Sequence, residues 1–185
     1  MVTIASLWLS LLLATVLVWI ASALVWMVLP HHKSDYRRLP DEDGARAALT
    51  PDLAPGQYMI PHLTEWDPAK DPEGAKKFAE GPVGFLTVVP RGLPNMGNKV
   101  LRSLVFYLFV AGTVAYLATR SIPAGAEYLT VFRFTGTVAW AAYGFAIIPD
   151  AIWFGRPWKT VWKHLADAFL YALLTAGAFA GFWPG

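Results

Sequence analysis

Residues 3–29 run for 27 positions without a single Lys, Arg, Asp or Glu. At a rise of about 1.5 Å per residue, about 20 apolar residues cross the hydrocarbon core of a bilayer. The run therefore predicts a membrane-spanning helix with length to spare for tilt. A secretory leader describes it less well, because no Lys or Arg precedes it and it is about twice as long as a leader's apolar region. It is read as a retained span, ended by Pro30, with Trp26 near that interface.

The rest of the chain follows the same logic. Of the 185 residues, 56% are hydrophobic and 15% are charged, against about 45–50% and about 25% in soluble domains. The apolar excess recurs only after residue 100. Three further spans are predicted there, at about residues 101–119, 128–154 and 161–183. The short connection Arg120–Glu127 joins the first two as an antiparallel pair. Pro149 is expected to kink or end the third, and Gly155–Trp158 forms the turn into the fourth. The predicted fold is all-α and integral to the membrane, with four transmembrane helices. The expected parts are a first span over 1–29, a loop over 30–98 and a three-helix region over 99–185.

The loop has a different composition. It holds ten of the fourteen prolines and most of the charged residues. Mostly irregular chain is expected, with short helices at Asp41–Thr50 and about Pro72–Glu80, the second capped by Asp71. Val83–Val89 reads as a short strand or a membrane-surface segment. Ala54–His62, bounded by prolines, reads as extended chain lying across another surface.

Charge position sets the expected orientation. Lys33, Arg37, Arg38, Lys99, Arg102, Arg156, Lys159 and Lys163 flank one side of the spans, and only Arg120 lies in the loop on the other. Positive residues favour the cytoplasmic side. The loop is thus expected in the cytoplasm and both termini in the periplasm. The net charge of +2 is accounted for by these anchors, which leaves no basic stripe for nucleic acid. The absence of cysteine excludes thiol catalysis, Cys-ligated zinc, iron–sulfur clusters and c-type haem attachment.

Several polar residues stand out against this background. Arg133 lies inside the third span, where it either snorkels and pairs with Glu127 or contacts an anion or lipid headgroup. Asp150 and Asp167 lie near the same end of their spans. Lys163 and Asp167 are four residues apart on one helix face, which Tyr171 continues. Arg102 is placed at the same level. These residues form either a polar cluster that locks helices together or a site for a cation or proton. Two acids with no glutamate or histidine deeper in the membrane make a poor proton path, so a small oligomeric transporter is the weakest reading. His31, His32 and His164 sit at the same interface, and one of the first two with His164 would suit haem. A bacteriochlorophyll needs only one histidine. No His-x-x-x-His or Glu-x-x-His spacing supports a metal site, and none is assigned. Lys33, Asp35, Tyr36, Arg37 and Arg38 form the densest polar stretch, suited to a partner subunit, a headgroup phosphate or simple solvation.

No nucleophile elbow, P-loop or dinucleotide fingerprint is present, and no catalytic residue is assigned. The stretch His31–Gly44 (HHKSDYRRLPDEDG), the phrase PGQYMIP and the ending YALLTAGAFAGFWP together resemble a family of small uncharacterised bacterial inner-membrane proteins. The resemblance implies a bacterial setting and four spans, and carries no activity or ligand. The expected function is a non-catalytic accessory or scaffold subunit of a larger inner-membrane complex, respiratory or photosynthetic, in contact with lipids and other membrane subunits. The alternative is a membrane protein that binds a cofactor or ion through its interfacial His and Asp residues.

Overall fold

The computed structural model describes residues 2–50 and 52–185. Four helices are long and apolar enough to cross a membrane, Ala5–Val28, Met96–Ser121, Tyr128–Phe154 and Trp158–Gly181. They point to a multi-pass membrane protein. By internal contacts the chain divides into two compact units. One comprises Met1–Asp35, Asn95–Ala151 and Arg156–Gly185, the other Tyr36–Pro94 and Ile152–Gly155.

The first unit holds the long helices. Helix α1 (Trp8–Ala23) is extended by a 3-10 turn over Ala5–Leu7 and a π-helical turn over Leu24–Val28. Leu29 then adopts extended φ and ψ of −75° and 138°, as the residue before a proline prefers.

In the second unit, α2 (Glu42–Ala48) is capped by Asp41, whose carboxylate accepts from the Gly44 amide. It is shorter than the predicted Asp41–Thr50. Helix α3 (Pro72–Glu80) has the predicted bounds and cap, Asp71 accepting from the Gly74 amide at 2.8 Å. Strand β1 (Gly56–Ile60) pairs antiparallel with β2 (Gly84–Val88), Tyr58 opposite Leu86. The second strand falls within the predicted Val83–Val89. The first lies within Ala54–His62, for which the sequence specifies no strand. Its side chains alternate poorly, so a period of two is not visible there, and only a partner strand 28 residues later satisfies its backbone.

Helix α4 (Met96–Ser121) is capped by Asn95 and overruns the predicted apolar limits by a polar turn at its start. Helix α5 (Tyr128–Gly144) gives way to a 3-10 turn at Phe145–Ile147 before α6 (Ile148–Trp153). Pro149 is the reason: it has no N–H for the Phe145 carbonyl, and its ring displaces that carbonyl. Helix α7 (Trp158–Gly181) follows Pro157.

Helix α7 packs on α5 and α1, and α4 packs on α1 and α5. Small residues set these approaches. A Cβ added at Gly136 would stand 3.2 Å from the Ala176 Cβ, and one at Gly144 3.0 Å from the Ala168 Cβ. Around them Ala139, Ala172 and Phe179 are buried. The pair Gly177 and Gly181, spaced for close helix approach, does not serve here, because a Cβ at either meets nothing within 4 Å. Gly144→Val is expected to destabilise the purified protein by about 1–3 kcal/mol through overpacking. Gly177→Val should stay within about 0.5 kcal/mol of the parent. Unfolding midpoints in detergent check both.

Candidate functional site

The polar residues that follow the first span fold back against α7. Pro30 starts a 3-10 turn over Pro30–Ser34, for which its fixed φ and missing N–H are suited. In such a turn residues three apart eclipse one another. His32 and Asp35 therefore meet, His32 Nδ1 standing 2.6 Å from Asp35 Oδ2. On α7, Lys163 and Asp167 share a face. His32 Nε2 lies 2.6 Å from Asp167 Oδ2, and His31 Nε2 lies 3.1 Å from Asp167 Oδ1. Lys163 Nζ donates to Asp35 Oδ1 at 2.5 Å, to Ser34 Oγ at 2.9 Å and to the His31 carbonyl. The side chains of His32 and Asp167 are only 5% and 11% exposed.

An aromatic wall closes the cluster. The Trp26 ring stacks on the His32 ring at 3.9 Å and an angle of 1°. The His164 ring meets both edge-on, at 5.3 Å from Trp26 and 5.2 Å from His32. One helical turn along α7, Tyr171 is buried against Tyr107 and Tyr143.

The electrostatics follow from the donors. An ionised carboxylate only accepts hydrogen bonds, and a neutral imidazole has only one N–H. Both nitrogens of His32 face carboxylates. The Asp35 and Asp167 carboxyls thus share the single ammonium of Lys163 within one cluster, with His32 between them. Burial opposes ionisation of Asp35, but hydrogen bonds and charge from His32 and Lys163 outweigh it and hold its carboxyl at about 2.

A depressed folded-state value stabilises the fold above the ordinary value of 3.8, and that stability is lost as pH falls through about 2. The attachment of the 30–35 turn to α7 is therefore expected to loosen between about pH 4 and pH 2, by protonation of Asp35. Trp26 fluorescence during an acid titration in detergent reports it. In Asp35→Asn the acid-dependent step should disappear.

Of the residues singled out in the sequence, His31, His32, His164, Lys163 and Asp167 come together. Asp35 joins them, although it was grouped with outward contacts. Asp150 does not: it pairs with Arg156 at 3.2 Å, and its carbonyl accepts from the Arg156 amide. Its side chain is 42% exposed. Arg102 is exposed and outside the cluster. Arg133 is also exposed, beside Thr130 and Thr137 on α5, and no ion pair to it is found among the described residues. Lys33, Tyr36 and Arg37 are exposed, and Arg38 pairs with Glu42 at 3.4 Å. Sequence reasoning missed Ser34 as a partner of Lys163 and Trp26 as the stacking wall. The six-residue interval from Trp26 to His32 has no helical meaning, because the chain turns at Leu29.

Two groups of side chains bring metal-ligating atoms within 4.8 Å of one another: His31, His32 and Asp167, and His32, Asp35 and His164. Comparison with protein-family models, curated proteins and solved structures finds no match.

Proposed function

We propose that this chain is a multi-pass protein of the bacterial inner membrane that binds a cation or a histidine-ligated cofactor at the cytoplasmic end of its first span. In this reading the loop is cytoplasmic and both termini are periplasmic, as the eight-to-one cation asymmetry favours. One observation carries the binding reading: two buried or half-buried histidines converge on a single buried aspartate, 136 and 135 residues away in the chain, near the end of a membrane span. Ionisable groups held at such depth are costly, and they mark ion and ligand sites in membrane proteins. The protein purified in mild detergent, stripped and then exposed to metal salts, haem and pigment, is expected to retain one of them. A preparation that retains none overturns the reading.

A second reading, an accessory or scaffold subunit of a larger membrane complex, is favoured by the unit Tyr36–Pro94 with Ile152–Gly155. Among its described residues only Gly74 is buried. Trp66 and Leu93 are 74% and 98% exposed. A unit with so little core gains stability from a surface outside itself. Purification in mild detergent should recover the protein with other membrane subunits, and recovery only as a stable monomer argues against this reading.

A further inference from the structure

We infer that His31 Nε2, His32 Nε2 and the Asp167 carboxylate form a site for a divalent first-row transition ion of the zinc type, with Asp35 as a positioning residue. This rests on the ion-binding reading above and adds to it the ligand set, the metal class and the role of Asp35.

The ligand set follows from a choice between the two groups of converging atoms. They share His32, which can ligate through one nitrogen while the other donates a hydrogen bond. Asp35 is the poorer ligand, because the Lys163 ammonium already sits on it at 2.5 Å and would repel an incoming cation. Among the described residues, the Asp167 carboxylate pairs with the two imidazoles and with no Lys or Arg. A cation there adds positive charge beside two carboxyl groups that share one ammonium.

Geometry agrees. Zinc bonds to imidazole nitrogen and carboxylate oxygen are about 2.0–2.2 Å, which puts neighbouring ligand atoms about 3.3 Å apart in a tetrahedron. The three ligand atoms lie within 4.8 Å of one another, and the two imidazoles reach the two oxygens of Asp167 at 3.1 Å and 2.6 Å, so side-chain adjustments of about 1 Å bring them to bonding distance.

Chemistry sets the metal class. Two imidazoles and one carboxylate suit zinc, cobalt, iron, nickel or copper, whereas calcium and magnesium prefer oxygen throughout. Three protein ligands leave a fourth position open.

Asp35 acts through His32. A ligating histidine commonly donates its other N–H to a carboxylate, which fixes the ring and raises its basicity. The 2.6 Å contact between His32 Nδ1 and Asp35 Oδ2 is that arrangement. Lys163 in turn holds Asp35, and Trp26 holds the ring plane.

The test titrates the full-length protein, purified in detergent and stripped with chelator, with Co2+, followed by displacement with Zn2+. One Co2+ per chain is expected, with visible absorption bands that Zn2+ abolishes. His31→Ala, at a partly exposed ring, and Asp167→Asn should each lose at least 10-fold in affinity. Asp35→Asn should keep the stoichiometry and bands but bind about 10–100-fold more weakly. The exposed Lys33→Ala should match the parent. Size-exclusion profile and helical circular dichroism verify that each variant is folded. Unchanged Co2+ binding in folded His31→Ala and Asp167→Asn overturns the ligand set. Binding of haem or Ca2+ but not Co2+ overturns the metal class and leaves the broader binding reading standing. Failure to bind any of them removes both.

Discussion

Replacing Asp167 with alanine is expected to destabilise the protein by about 3–5 kcal/mol, the loss typical when one partner of a buried ion pair is removed. Among the described residues, the carboxylate is the only acidic group that both His31 and His32 face. Without it, His31 and His32 lose their shared carboxylate, and the 30–35 turn is left with the Lys163 contacts to α7. Asp150→Ala provides the contrast. Its pair with Arg156 is partly exposed on both sides, so the cost should fall within about 0–1 kcal/mol. Unfolding midpoints in detergent rank the two variants. Limited proteolysis within His31–Asp35 shows whether the turn has detached. Equal costs for the two aspartates would mean that the His32 cluster holds the fold no more firmly than a surface pair does.

Lys163→Met is the second large effect. Its ammonium contacts the Asp35 carboxylate, the Ser34 hydroxyl and the His31 carbonyl. Removing it leaves the carboxylate with His32 alone in a largely dry site, at an expected cost again of about 3–5 kcal/mol. Methionine keeps most of the aliphatic volume, so the loss reports charge and hydrogen bonding rather than packing. Pairing it with Asp35→Asn closes a double-mutant cycle. The double variant should be more stable than the sum of the single losses implies, by about 0.5–3 kcal/mol. Strict additivity would separate Lys163 from Asp35 energetically despite their contact.

Much of the helical framework is legible from composition alone. The uncharged run over residues 3–29 and the three later apolar stretches correspond to the four long helices, because 20 or so apolar residues are a strong, local signal. The cap at Asp71 with Pro72 after it gives the bounds of α3 for the same reason. Strand β1 is less visible because its identity depends on β2, and neither strand is stable without the other. The candidate site divides along the same line. The Lys163–Asp167 pair, four apart on a helix, reads directly from spacing. The meeting of His31 and His32 with Asp167 does not, because metal-site motifs register only ligands close in sequence, and 135 residues separate His32 from Asp167. Asp150 looks like an equal partner of Asp167 when only distance from the turn is considered. What separates them is Arg156, which engages both the carboxylate and the carbonyl of Asp150 within six residues. Asp35 was legible as polar and not as buried, since burial depends on the reversal that Leu29 and Pro30 introduce.

That reversal links segments far apart in the chain. The turn after the first helix is fastened by residues of the last one, so the fastening cannot form while the protein is being made. His31 and His32 leave the ribosome long before Asp167 exists, and they wait in water until the fourth helix enters the membrane. The cluster therefore forms only after α7 has been made. A chain truncated before α7 has a first helix with no latch, and the exposed His31–Asp35 turn marks it as unfinished.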